Sequence, residues 1–181
     1  MRSAPVAQRS ERRPFKPGVE GSTPSGGTGR HPSRDRTAVA AILRGAVSRE
    51  NVEIAARWYE VATSKSALLG AMTRTMEFCH PDVVWSAPED GADYRGRDGV
   101  RRRLEEWLAS FGEYSFEIQR IVDCGGDDVL VVGHEVGKGA ISGVEVRAVD
   151  FELLTIRDGL IVRIREFYDE SAALEAAGLQ E

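Results

Sequence analysis

The stretch from Ser142 to Tyr168, SGVEVRAVDFELLTIRDGLIVRIREFY, admits few folds. It reads as two long alternating segments joined by Arg157-Asp158-Gly159, and Asp-Gly between alternating apolar runs is the strongest short-range signal for a β-hairpin. Successive strand side chains point to opposite faces, so Val144, Val146, Ala148, Asp150, Glu152, Leu154 and Ile156 share one face. Two carboxylates in an otherwise apolar row either line a cavity or carry a heavy desolvation cost. The other face, with Val149, Phe151 and Leu153, is also apolar. A cavity has no need of it, so it is expected to be a subunit interface, giving a homodimer through the convex face of the sheet.

The length of 181 residues fits one domain with an appendage. Residues 1–46 carry a net charge of +6 in a chain of net −5, leaving −11 on the remainder. A body that acidic argues against nucleic acid as a partner. Pro5, Pro14, Pro17, Pro24 and Pro32 crowd the first 37 residues among glycines and without apolar periodicity. Such a segment cannot bury enough surface to offset its ordering entropy, so residues 1–46 are expected to be a disordered basic tail and residues 47–181 the domain. The tail sequence APVAQRSERRPFKPGVEGSTPSGGTG resembles the peptide read when a frame is extended backwards across a transfer-RNA gene, which would place the native start nearer Val47.

No run approaches the roughly 18 apolar residues of a membrane helix, and no secretory apolar region follows the basic start, so no membrane partner is expected. Cys79 and Cys124 have neither metal nor redox spacing. They read as reduced thiols of a cytoplasmic protein. The three histidines are too scattered for a metal centre. No metal or organic cofactor is implied.

Periodicity predicts a helix over Arg49–Thr63 capped by Ser48, a second over about Ser66–Phe78, and a third from a cap at Asp98 to Phe111. Arg101, Arg102, Arg103, Glu105 and Glu106 read as the solvated face of that third helix. A short strand at Val83–Trp85 and a loop at Glu89–Arg97 precede it. Strands are expected at about Tyr114–Asp123, Val129–Gly137, Val144–Ile156 and Leu160–Tyr168, with Gly133, Gly137 and Gly139 as bulges that curve the sheet. A short helix, Asp169–Ala177, closes at Gly178. Helices first and antiparallel strands later make an α+β fold, a curved antiparallel sheet wrapped by the N-terminal helices.

The segments SRENVEIAARWYE, HPDVVW, YRGRDGVRR and RDGLIVRI, in this order, resemble the SnoaL-like family of the nuclear transport factor 2-like superfamily, over about Ser48 to Gly178. The resemblance implies a cone of curved sheet and helices around an apolar pocket, often dimeric. That superfamily includes ketosteroid isomerases, polyketide cyclases, epoxide hydrolases, dehydratases and non-catalytic binders, so fold does not fix activity. By the same resemblance the isomerase base would fall at Ala87, before Pro88, and its oxyanion tyrosine at Trp58, beside Tyr59. Its protonated acid would fall near Glu152. Two of the three positions have lost their chemistry, which disfavours the isomerase mechanism. An epoxide-hydrolase grouping of Asp150 and Glu152 around Arg147 is disfavoured because Arg147 points to the other face. Glu166 and Tyr168 match pocket-facing positions.

The catalytic candidates are therefore Glu152 and Asp150. A carboxyl in an apolar pocket titrates nearer neutrality and can move a proton; a structural acid paired with Arg163 or Arg165 is the plain alternative for Glu152. Candidates for lining a ligand site are Trp58, Tyr59, Trp85, Trp107, Leu154, Glu166 and Tyr168, with Glu89 and Tyr94 at the mouth. His134 is a further candidate base. Two functions follow: a cofactor-free enzyme acting on a small hydrophobic carbonyl, polyketide-like or epoxide substrate, or a non-catalytic ligand-binding or dimeric module. A dimer whose cone is filled by its own side chains is a third reading. For the tail, mass spectrometry of the native N-terminus is expected to find a start near Val47; intact residues 1–40 would overturn that expectation.

Overall fold

The computed structural model describes residues 48–61, 63–87 and 91–179; the expectations for the tail, for Val47 and for Glu89 lie outside the described residues. Residues 48–59 form α1, followed by α2 (Lys65–Glu77), β1 (Cys79–Ala87), β2 (Ala92–Arg95), α3 (Gly96–Ala109), β3 (Phe111–Asp123), β4 (Asp128–Gly139), β5 (Glu145–Arg157), β6 (Leu160–Phe167) and α4 (Glu170–Ala176). The strands form one unclosed, curved sheet in the order β2-β1-β6-β5-β4-β3.

The β5–β6 hairpin forms as its sequence dictates. Asp158 and Gly159 have φ of 50° and 76°, and Arg157 pairs with Leu160. Positive φ at both central residues is the turn whose twist matches a hairpin, and asparagine, aspartate and glycine tolerate it best. One pairing departs from the antiparallel expectation: β1 runs parallel to β6, so the sheet is mixed. His80 and Pro81, just past the end of α2, lie in β1, where the register to β6 slips between Cys79 and Val84. The loop expected after β1 contains the short edge strand β2.

Capping differs in detail from the sequence reading. Ser64 starts α2, its hydroxyl accepting from the Ala67 N–H at 3.2 Å. Ser48 is already helical, and α3 begins at Gly96 with Asp98 in its first turn. Asp169 caps α4 by accepting from the Ala172 N–H at 2.9 Å, and Gly178 ends it with φ of 69°.

Two apolar clusters sandwich the sheet. The larger joins Ile54, Ala55 and Trp58 of α1, Leu68, Met72 and Met76 of α2, and Val100, Leu104 and Leu108 of α3 to the facing side of the strands, Leu154 and Ile156 included. The smaller lies on the opposite side, where Leu130, Val132, Phe151 and Leu153 pack against Ala173 and Ala177 at the C-terminal helix. The helices therefore do not all lie on one face. The proposed subunit interface also loses two of its residues: α4 of the same chain covers Phe151 and Leu153. Val149 stays 42 % exposed.

The glycines of β4 are not the bulged residues. The register shifts fall on β3, between Phe111 and Glu113 and between Ile118 and Arg120. Gly133 and Gly137 instead admit rings: a Cβ on Gly133 would lie 2.0 Å from Phe116 Cζ, and one on Gly137 would lie 2.4 Å from Phe111 Cδ1. Phe116 has no free retreat, because its other neighbour is Tyr59, stacked at 5.2 Å between centroids and 21° between planes. Gly133→Ala is expected to destabilise the fold by roughly 1–3 kcal/mol through overpacking. Urea denaturation measures it, and an unchanged midpoint would show that Phe116 moves aside freely.

Candidate functional site

Three adjacent strands bring the acids together by parity. In the β4–β5 ladder Val131 faces Glu152, Gly133 faces Asp150 and Glu135 faces Ala148; in the β5–β6 ladder Glu152 faces Glu166. All of these side chains project to the side covered by α1, α2 and α3. Glu135, Asp150, Glu152 and Glu166 are between 3 and 8 % exposed, and carboxylate oxygens of Asp150, Glu152 and Glu166 lie within 4.8 Å of one another. Oxygens at that spacing are ones a cation could share.

Directly opposed carboxylates repel unless something neutralises them. Glu166 has partners. Its Oε2 accepts from Arg103 Nη2 at 3.3 Å and from the Trp85 indole N–H at 3.4 Å, and its Oε1 accepts from the Tyr168 hydroxyl at 3.0 Å. Arg103 sits over the rings of Trp107 at 5.0 Å and of Trp85 and Tyr94 at 5.9 Å. Among the described residues it is the only buried Lys or Arg, at 6 % exposure. The expectation of a solvated arginine face on α3 thus fails for Arg103, which turns inward to meet Glu166.

Among the described residues the hydrogen-bond partner of Glu152 is the Tyr59 hydroxyl, which donates to its Oε2. Arg163 and Arg165 do not pair with it: they oppose Thr155 and Leu153, so their side chains leave the sheet on the other face. Burial first, then the Glu166 charge, holds the Glu152 carboxyl well above its usual range. Burial also raises Asp150, with Glu135 and Glu166 adding to it. Asp150 Oδ1 is buried and has no hydrogen-bond partner among the described residues. Burial pushes Glu135 up to about 7; Glu166 adds to the shift and Arg103 opposes it. Tyr114 is raised by burial and by Glu135, against a hydrogen bond from Trp107.

These groups border a cavity of about 40 Å³, room for a few water-sized atoms. Its walls bring together six of the expected residues besides Asp150: Trp58, Tyr59, Trp85, Trp107, Glu152 and Glu166. Leu154 is fully buried in the core rather than on the wall, and Tyr168 is not on the wall but donates to Glu166. His134 is exposed and points away from its neighbour Glu135. The sequence reading missed Arg103, Glu135, Tyr114, Phe116, Leu68, Leu104 and Thr75. Glu135 had a usable signal, since Val129, Val131, Gly133 and Glu135 alternate as the Asp150–Glu152 row does.

A curved mixed sheet wrapped by helices around a buried, acid-bearing cavity defines an α+β pocket protein. The sequence model of the SnoaL-like domain matches residues 55–164, and the chain belongs to the SnoaL-like family. No curated protein matches the sequence. Among solved structures, Bal32a from a soil-derived mobile gene cassette is similar at 15% identity and a TM-score of 0.58, covering 72% of this chain and 97% of that one. A candidate SnoaL-like polyketide cyclase from Jannaschia sp. gives 20% identity and a TM-score of 0.56 over 74% and 94%. TerC, co-crystallised with polyporic acid, gives 23% and 0.52 over 71% and 98%. These likenesses establish the fold. Ala87 is buried at the end of β1.

The raised acids make stability fall with pH. The folded state binds protons that the unfolded chain has released, so stability is greatest below the unfolded value near 4.5 and declines as pH rises through the folded value of about 7 for Glu135. Glu135→Gln removes that burden, worth on the order of 3 kcal/mol at its upper limit. In urea denaturation the variant should gain more over the natural protein at pH 8 than at pH 5. An equal gain at both would show that Glu135 titrates normally.

Proposed function

We propose that this protein is a small-molecule pocket enzyme acting without a cofactor on a hydrophobic carbonyl, polyketide-like or epoxide substrate by acid/base chemistry. The observation that carries the reading is the Tyr59–Glu152 pair: a fully enclosed carboxyl, held by a phenol, against an aromatic-walled cavity. A carboxyl kept neutral in such a setting donates a proton or hydrogen bond to the oxygen of a carbonyl or epoxide, stabilising the negative charge that develops there. Asp150, two residues away on the same face with one oxygen unpartnered, is the partner that takes or relays the proton. Trp58, Trp85 and Trp107 supply the apolar contact, and Tyr168 acts on the site by holding Glu166.

A non-catalytic ligand-binding or interaction module is the second reading, favoured by Ala87 and by a cavity far below the roughly 300 Å³ of an ordinary ligand pocket. Val149, 42 % exposed on the face that carries Phe151 and Leu153, is the residue left to support a homodimer through that face of the sheet. The unpaired thiols of Cys79 and Cys124 support a reducing compartment, the cytoplasm. Among the described residues no helix is long and apolar enough to cross a membrane.

A thermal-shift panel of steroids, polyketide intermediates, terpene epoxides and fatty acids, run on the full chain, comes first. A compound at about 100 times its dissociation constant adds roughly 2.7 kcal/mol of stability. Each hit is then assayed for turnover. Glu152→Gln is expected to lower turnover by about 10²–10⁴-fold while keeping the thermal shift. Bound compounds that never turn over, or a variant as active as the natural protein, would leave the binding module as the function.

A further inference from the structure

We infer that the cavity receives an organic ammonium group, so that the molecule this pocket takes is a hydrophobic amine. The inference rests on the preceding reading of the cavity as a small-molecule site and narrows its ligand class. It starts from charge. Among the described residues four buried acids border the cavity and one buried cation, Arg103, answers them. Arg103 is matched to Glu166. Glu135, Asp150 and Glu152 have no ion-pair partner among the described residues.

A second, independent observation is Asp150. It is 3 % exposed, it borders the cavity, and its Oδ1 has no hydrogen-bond partner among the described residues. Leaving a buried acceptor unpaired costs about 1–3 kcal/mol, so an oxygen in this state is completed by a donor that arrives with a ligand. The donor must be compatible with the walls, and the walls are aromatic. Trp85 and Trp107 already hold one organic cation, the Arg103 guanidinium, at 5.9 and 5.0 Å. Indole and phenol faces attract ammonium groups in the same manner, most strongly when water is excluded.

A metal ion fits less well. Glu166 has both oxygens engaged, by Arg103, Trp85 and Tyr168, and Glu152 Oε2 is engaged by Tyr59. A calcium or magnesium ion takes six or more oxygens. An ammonium needs only a few acceptors, and Asp150 and Glu135 provide them without breaking an existing pair.

Entry of a cation has a measurable companion. On the strands Glu135, Asp150, Glu152 and Glu166 face the site; Tyr59, Arg103 and Tyr114 face it from α1, α3 and β3. A positive ligand favours the ionised form of the acids, so protons pass to solvent as it binds. Affinity therefore rises with pH while the amine stays protonated.

Isothermal titration calorimetry of the full chain, in two buffers of different ionisation heat at pH 6.5 and pH 8, tests this with three probes. They are isopropylammonium chloride, the neutral ketone acetone, and magnesium chloride, the first two small enough for a cavity of about 40 Å³. Isopropylammonium is expected to bind at least tenfold more tightly than acetone, to release protons, and to bind more tightly at pH 8. Asp150→Asn should weaken it at least tenfold; Glu135→Gln serves as the second variant if the first does not fold. Acetone binding as tightly as the amine would overturn the inference and leave the acid/base reading standing. Magnesium binding in place of the amine, or ammonium binding without proton release, would overturn it too. No binding by any probe would sink it together with the open pocket.

Discussion

The hydrogen bond from Tyr59 to Glu152 joins the first helix to the middle of the sheet, and the cavity is arranged around it. Tyr59 is placed by Phe116, whose ring stacks on it. Phe116 in turn lies across Gly133, where any side chain would collide with it. A glycine on β4, a phenylalanine on β3, a tyrosine on α1 and a glutamate on β5 thus form one line of contact. Each member fixes the next by excluded volume or by a hydrogen bond, so a carboxyl in the core meets a defined partner and not a shifting one.

Sheet geometry makes the acid cluster unavoidable once the residues are chosen. Side chains of matched parity on β4, β5 and β6 stand side by side, so Glu135, Asp150, Glu152 and Glu166 share one face whatever their mutual repulsion. Among the described residues only Glu166 forms an ion pair, with Arg103. Burial pushes the other three carboxyls up, and burying even a neutral carboxyl carries a penalty that an apolar residue would not.

Much of this was legible in the sequence, because it depended on neighbours along the chain. Asp158-Gly159 announced the hairpin, and alternation along β5 put Asp150 and Glu152 on one face. The misses share a cause: each depended on a partner distant in sequence. Arg103 looks like one charge among several on α3, and only Glu166, on β6, explains why it turns inward. Phe151 and Leu153 look like an open interface until α4 folds back over them. The glycines of β4 signalled irregularity correctly but not its form, since rings from β3 fill the space they leave. His134 and Glu135 are adjacent, and only register decides which faces the cavity.

The parallel pairing of β1 with β6 has a kinetic consequence. β1 lies between β2 and β6 in the finished sheet, yet β6 is the last strand to be made, with α3 and β3 to β5 emerging in between. Synthesis at about 5–20 residues per second leaves one edge of β1 without its partner for several seconds. In that interval its backbone N–H and C=O groups are open to any extended chain nearby. Closing the long loop between the two strands precedes the reward of pairing them, which slows folding. β6 acts as the latch of the sheet, and Glu166, which it carries, brings Arg103, Trp85 and Tyr168 together only when that latch has closed.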